Sequence, residues 1–415
     1  MTNTIQTVKS NAQKLVKMAA ADLADQVHFF KSARKMSPSE FKPDASGHSP
    51  GDTVSVRIPA QANVVEDNFD ITGAVGTVKE RAVDLSLNKS ATVSLELTSN
   101  ELAHDVDLGQ IYDRFLKTYV QDMAASIEAR FIQEATQNVA NLVGTAGSTI
   151  VDPDTVLAGR ELMSKYLAPK GRDRFFLMDS TSMRSAVNAN KNLFTQTRKE
   201  FEQGYIGDAL GYSWLENELL YSHTNGNDVT GVAVEDSVVT IATGMTTLGV
   251  DGVTANSGTI TKGTVFTITG VYAVHPQTKQ TLPFLKQFVH TGATQTANAS
   301  GQITLTLDEP IYSSASGSLQ NVSALPADEA TIAFVGSAST AYTQSLMFHK
   351  EAFRVVSVPL ALPSSAEFAE QASESGMNIA IVRDFDVLTR KWITRMDFLG
   401  GIVPVRPRWA CRITD

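Results

Sequence analysis

The chain has 415 residues and a formal net charge of -9, enough length for about two or three domains whose cores need no disulfide or structural metal. The acidic balance counts against a protein that grips phosphates, whereas a wall around packed nucleic acid should repel it weakly and not adhere to it. The single cysteine, Cys411, excludes an internal disulfide and a cysteine zinc cluster, suits a reducing compartment, and is expected to be a small buried residue near the chain end.

Residues 1–49 read as an arm. The start, MTNTIQTVKS, lacks the apolar run of a signal peptide, and no stretch approaches the roughly 18 uninterrupted apolar residues of a membrane span, so the product is expected to be cytosolic when made. Ile5, Val8, Ala12, Leu15, Ala19, Leu23 and Val27 recur at helical spacing. With little after it to cover that stripe, the helix is expected to lie on another domain or subunit. The stretch SPSEFKPDASGHSPGD, with Pro38, Pro43, Gly47, Pro50 and Gly51, is a linker.

From Thr53 the period changes to two. Val54, Val56 and Ile58 alternate with polar residues, as do Leu85 and Leu87 and then Val93, Leu95 and Leu97. Two such runs around a long charged tip make an extended hairpin over 50–100. Its tip carries Glu66, Asp67 and Asp70, with Lys79 and Arg81 near the return strand. A hairpin of this length is poorly stable by itself and must lean on something. These five charged residues are the candidate inter-subunit contacts.

Leu102 to Val143 predicts one long spine helix. Leu108, Tyr112, Phe115, Tyr119, Met123, Ile127, Phe131, Ala135 and Val139 keep a spacing of three or four without proline, while Lys117, Gln121, Asp122, Glu128, Arg130 and Gln133 keep other sides wet. Glu101, Asp105 and Asp107 suit the dipole of its first turn. Glycines 144 and 147 end it. Asp152 and Pro153 then form a cap and first position for a helix to Leu167, followed by a strand at Arg174 to Leu177 and a helix near Ser182 to Asn190, an α/β alternation. The glycines between Gly204 and Gly226 match no nucleotide fingerprint and read as turns.

Over 224–345 charge thins and arginine disappears, while VVTIAT, TVFTITG, QFVHT and QITLTL alternate between glycine-rich turns. That is the mark of a small all-β module. Because the α/β pattern resumes at Phe348, the module reads as an insertion, expected to fold by itself with its two ends close together. The chain closes with WITRMDFLGGIVPVRPRWACRI.

The chemical inventory is sparse. No G-x-S-x-G elbow, Walker loop or H-E-x-x-H pair occurs, and His28, His48, His104, His223, His275, His290 and His349 are scattered singly. Asp384 and Asp386 make a D-x-D that could hold a divalent cation, but alternation places both on one solvent face of a strand. No catalytic residue, cofactor or metal site is assigned, and an enzyme is the minority reading.

LNKSATVSLELTSNELA at Leu87, TVFTITGVYAVHPQTKQ at Thr264, QFVHT at Gln287, FHKEAF at Phe348 and RMDFLGGIVPVRPRWACRI at Arg395 resemble stretches of a tailed-phage coat protein family, the short-tailed Salmonella-phage type with a β insertion domain. The resemblance implies an α+β, HK97-like major capsid fold with an inserted all-β barrel. Its parts would be an N-terminal arm (1–49), an extended hairpin loop (50–100), a peripheral domain with the spine (101–151), an axial domain (152–223 and 346–395), the insertion (224–345) and peripheral C-terminal strands (396–415). It further implies pentamers and hexamers closing into an icosahedral shell around double-stranded DNA, without specific DNA binding or membrane contact. A scaffolding protein, a portal protein and in some shells a decoration protein would be partners, with assembly in the host bacterial cytoplasm and residence in the virion capsid. The alternatives are a host-encoded, encapsulin-like nanocompartment shell and an enzyme with a β accessory domain.

The hairpin tip generates a test. Exposed ion pairs contribute only about 0–1 kcal/mol each, so Asp67→Ala should be nearly silent. Reversing Glu66, Asp67 and Asp70 together to lysine should turn attraction into repulsion and block assembly of a folded subunit, read by sedimentation beside circular dichroism.

Overall fold

Helical periodicity and strand alternation both reappear in the computed structural model, which describes residues 4–36, 53–58, 81–98, 116–148, 152–190 and 208–414. The chain divides into two units: 1–56 with 83–132 and 353–405, and 57–82 with 133–352 and 406–415.

The first unit is built on a six-stranded sheet. Its long strand, Lys391–Pro404, pairs antiparallel with Lys89–Thr98, Met377–Asp386 and Phe353–Ser357. Phe368–Glu374 extends the sheet beyond Met377–Asp386, and Arg34–Lys35 runs parallel to Phe353–Ser357. The helix Thr4–Gln26 buries Val16, Ala19, Ala20, Leu23 and Ala24 and lies against the strands Phe368–Glu374 and Met377–Asp386. The arm helix therefore finds its cover within its own chain. Phe30 meets Phe131 of the spine edge-on at 5.7 Å, and Phe131 meets Phe398 of the sheet at 6.3 Å, an aromatic stack that joins arm, spine and sheet.

Within the described residues the spine is Lys117–Gln137. The expected first part, 102–115, lies outside them. Val120, Met123, Ala124, Ile127, Phe131 and Ile132 are buried, as the periodicity requires. Glu128 departs from the expectation of a wet position: it is fully buried, and its Oε1 accepts the Phe29 N–H at 2.7 Å. The short helix His28–Ser32 begins at Val27, which offers no side-chain cap, so the carboxylate satisfies one of its orphan N–H groups from across the core. The helix also ends earlier than expected. Asn138 donates to the Glu134 carbonyl at 2.7 Å and Arg412 Nε to the Val139 carbonyl at 2.7 Å, side chains that take up terminal carbonyls, and Leu142–Val143 pairs as a short parallel strand with Arg412 and Ile413.

Thr53–Ile58 and Arg81–Ser86 form the two-stranded base of the expected hairpin; its tip, 59–80, lies outside the described residues. The second run is not one strand of that hairpin throughout. After Leu87 the chain leaves it, and Lys89–Thr98 joins the long strand instead, Lys89 opposite Gly400 and Thr98 opposite Lys391.

In the second unit a seven-stranded sheet places Ala341–His349 between Ala410–Thr414 and Arg174–Met178, with Tyr212–Glu216 and Asp208–Ala209 beyond. Pro153–Lys165 and Ser180–Asn190 pack on it through Val156, Met163, Met183 and Ala186 against Phe176, Trp214 and Met347. Asp152 caps the first of these helices by accepting the Thr155 N–H at 2.8 Å. The expected division at 395/396 falls inside the unbroken strand Lys391–Pro404, and the C-terminal strand Ala410–Thr414 shares a sheet with 152–216 and not with the spine. Backbone pairing sets this partition, which hydrophobic pattern alone does not encode.

The inserted residues form two three-stranded sheets, Ala233–Val234, Met245–Asp251 and Ile303–Ile311, and Thr281–Val289, Val265–Val274 and Ile332–Phe334. Single bridges, His290 with Leu307 and Ala233 with Thr331, join their edges, so that six strands close around Leu248, Val250, Phe266, Ile268, Phe288 and Leu305. The bridges tie the sheets at one point on each side, and Thr259–Ile260 pairs separately with Gln295–Thr296.

Phe131→Ala should cost about 3–5 kcal/mol in urea unfolding of the subunit, because it opens a cavity in the stack that joins arm, spine and sheet.

Candidate functional site

The root of the insertion concentrates the buried polar chemistry of the second unit. Its outgoing strand, Ser222–Thr224, pairs with the returning strand, Thr224 opposite Ala341 and His223 opposite Tyr342. The two ends of the insertion are thus hydrogen-bonded neighbours. Asn225 reinforces this neck by donating to the Val335 carbonyl at 2.8 Å and the Ser337 carbonyl at 3.2 Å. Gly263, at φ +94, brings the insertion's loop against the neck, where a Cβ would lie 3.1 Å from Gln137 Cγ and 3.3 Å from His223 Nδ1.

Beneath the neck lies Arg412, fully buried. Its guanidinium donates to the carbonyls of Val139 at the spine's end and Gly263 in the insertion, at 2.7 and 3.0 Å, and to Gln344 Oε1 of the returning strand at 2.9 Å. One side chain thereby fastens spine, insertion and C-terminal strand. Its recorded acceptors are neutral, and burial pulls its pKa down to about 9. His223, beside it, is pulled down to about 4 by burial and then by the Arg412 charge.

A second cluster seals the base. Arg408, on the turn Pro407–Trp409, places Nη2 2.9 Å from Asp308 Oδ2 and 2.9 Å from Glu309 Oε1, while Nη1 donates to the Gln287 carbonyl at 2.8 Å. Lys286 Nζ lies 2.8 Å from Glu309 Oε1. Burial pushes both carboxyls up. At Glu309 the charges of Lys286 and Arg408 overcome it and hold the group low and ionised. At Asp308 burial outweighs Arg408, with the Glu309 charge adding to it, and the carboxyl sits above its usual range. Burial lowers Lys286 to about 8 despite Glu309. Gln287 and Leu142 exchange two hydrogen bonds, 2.9 and 2.8 Å, and Lys165 stands 5.1 Å from the Phe284 ring centre. The insertion is held to its host by charge and amide pairs.

Of the five expected contact residues, Glu66, Asp67, Asp70 and Lys79 lie outside the described residues. Arg81 is half-buried, and its charge helps keep the Glu309 carboxyl of its own chain low. Asp384 accepts the N–H of Phe385 within its own strand, and Asp386 serves the following turn by accepting the Leu388 N–H and the Thr389 hydroxyl. Cys411 is buried, which raises its thiol to about 12. His290 accepts the Thr306 N–H and contacts the Ala293 carbonyl, and His349 accepts the Glu351 N–H, structural uses of both rings. Among the described residues one group has metal-ligand spacing, the carboxylates of Glu235, Asp251 and Glu329, within 4.8 Å of one another on an acidic surface. No helix among them is long and apolar enough to cross a membrane.

A family model described as P22 coat protein, gene protein 5, matches residues 15–411. No curated protein sequence matches the chain. Similar solved structures include the capsid of Ralstonia phage GP4, at 7% identity and a TM-score of 0.46 over 92% of this chain and 86% of that one. The capsid of the cyanophage P-SCSP1u has 10% identity and a TM-score of 0.44 over 92% and 86%. A chain of Mycobacterium phage Che8 has 11% identity and a TM-score of 0.40 over 94% and 90%.

Arg408→Met should destabilise the subunit by about 3–5 kcal/mol in urea, because it strands Asp308 and Glu309 with Lys286 alone. Adding Asp308→Asn should recover part of that loss, which a double-mutant cycle would read.

Proposed function

The chain belongs to the P22 coat protein family, and on that premise we propose how its parts divide the work of building a shell. It is a major capsid protein that self-assembles into the icosahedral shell of a tailed phage, and the family is one of structural proteins rather than enzymes. In our reading the hairpin over 50–100 reaches a neighbouring subunit, where Glu66, Asp67 and Asp70 meet basic groups. Heterologous contacts of this kind generate rings, here pentamers and hexamers, and many modest contacts sum to a stable particle. The insertion, a closed barrel on a two-strand neck, is a separately built module on that scaffold.

The single observation that carries the reading is the family match over 15–411. The net charge of -9 supports a wall that encloses double-stranded DNA without binding it specifically. A scaffolding protein and a portal at one vertex are the partners this role calls for, joined in some shells by a decoration protein, with assembly in the host bacterial cytoplasm and residence in the virion. The insertion favours the phage shell over the nanocompartment alternative.

Purified chain co-expressed with its scaffolding protein should form capsomers or closed shells of megadalton mass, seen by light scattering and negative-stain electron microscopy. A monodisperse monomer at high concentration with scaffold present would overturn the coat reading.

A further inference from the structure

We propose that the neck of the insertion is an acid-sensitive latch, in which protonation of His223 beside Arg412 loosens the joint between the outgoing and returning strands. The geometry rests on a one-way chain of hydrogen bonds. Gln137 Nε2 donates to the Tyr221 hydroxyl at 2.9 Å, and that hydroxyl lies 3.4 Å from His223 Nδ1. On the other side of the ring, Nε2 is 3.3 Å from the Thr264 hydroxyl, which donates to the Thr261 carbonyl at 2.9 Å. With the Tyr221 oxygen accepting and the Thr264 hydrogen committed, the arrangement that satisfies Gln137, Tyr221 and Thr264 together has Tyr221 donating to Nδ1 and Nε2–H donating to Thr264. This neutral tautomer is assigned from the network. A second proton on Nδ1 would face the Tyr221 hydrogen and force the chain to reverse.

Only the neutral Asn225 amide favours the imidazolium, and burial and the Arg412 charge outweigh it. The groups that face His223 are Tyr221 and Asn225 from its own strand and turn, Gln137 from the spine, Gly263 and Thr264 from the insertion and Arg412 from the C-terminal strand. Gln344 of the returning strand binds that arginine. Arg412 is a like charge. Of the nearby charged side chains, Glu134 of the spine and Lys262 of the insertion are paired with each other at 3.0 Å. His223 is 3% exposed, so water cannot screen the pair. Because His223 carries one rung of the neck ladder, the most direct relief is to part that ladder and let water in.

The sign follows from linkage. A histidine held below its ordinary 6.5, here at about 4, binds fewer protons folded than released, so its contribution is intact above about pH 6.5 and is lost as pH falls toward 4. At pH 5 the opening constant of the neck should be roughly thirty-fold larger than at pH 7.5.

The test is hydrogen exchange by mass spectrometry on the full-length chain, following peptides that cover 222–224 and 341–344, with protection corrected for intrinsic exchange rates. In the unsubstituted chain, neck protection should fall roughly thirty-fold between pH 7.5 and pH 5. His223→Gln cannot take up the proton and should hold its protection over the same range, while protonation of the other histidines affects both chains alike. Gln344→Glu keeps an acceptor for Arg412 and adds a negative charge that offsets the arginine facing the ring, so the acid loss should shrink. Equal acid losses in the unsubstituted chain and His223→Gln, or no loss in the unsubstituted chain, would overturn the latch. Should His223→Gln be unfolded at pH 7.5 by circular dichroism, an undiminished loss in Gln344→Glu would overturn it instead.

Discussion

Carboxylates removed from water need cations, and the insertion does not carry enough of them where it meets its host. Asp308 and Glu309 are adjacent and buried, Lys286 supplies one positive charge, and the balancing charge is Arg408, which arrives from the far end of the chain. The base of the barrel and the C-terminal turn are therefore a single electrostatic unit, although about 100 residues separate their members in sequence. Arrangements of this kind are costly in desolvation and contribute more to uniqueness of docking than to net stability. Beside this cluster Ala140 and Leu142 of the host pack with Val265 and Val289 of the insertion.

The C-terminal segment does more than complete a sheet. Within a few residues Arg408 balances the barrel's acids, Trp409 donates to the Tyr166 carbonyl, and Arg412 reaches the spine, the insertion and the returning strand together. Contacts so distant in sequence form only after most of the chain is in place. The joint is therefore expected to close late in folding, over a host sheet whose neighbouring strands are already paired.

Much of this architecture is legible in the sequence because water sorts side chains with a period. Val120, Met123, Ile127 and Phe131 show their helix, Val56 and Leu85 their strands, and Asp152 with Pro153 a cap. The neighbouring ends of the insertion, Thr224 opposite Ala341, fall where arginine is lost and the period changes. Buried polar positions are the failures, since pattern treats charge as exposure. Glu128 lies inside, where it caps a helix that has no cap of its own. The split after Leu87 and the partition of the C-terminal strands depend on which edge accepts which strand, and alternation gives no preference there. One signal at the joint was available: adjacent acids in the alternating run QITLTLDEPI, within a module that has no arginine, call for a cation from elsewhere.

The six-stranded ring closed by two single bridges has a meaning at the scale of a particle. A shell repeats one module many times over, which is the situation in which free strand edges recruit one another into continuous sheets. Edges turned toward each other and bridged have less to offer a neighbour. Threonine- and valine-rich strands such as Val265–Val274 and Ile303–Ile311 can therefore be repeated around a surface without copies fusing through their backbones. Crowding, which would condemn an open sheet of the same composition, is better resisted by this one.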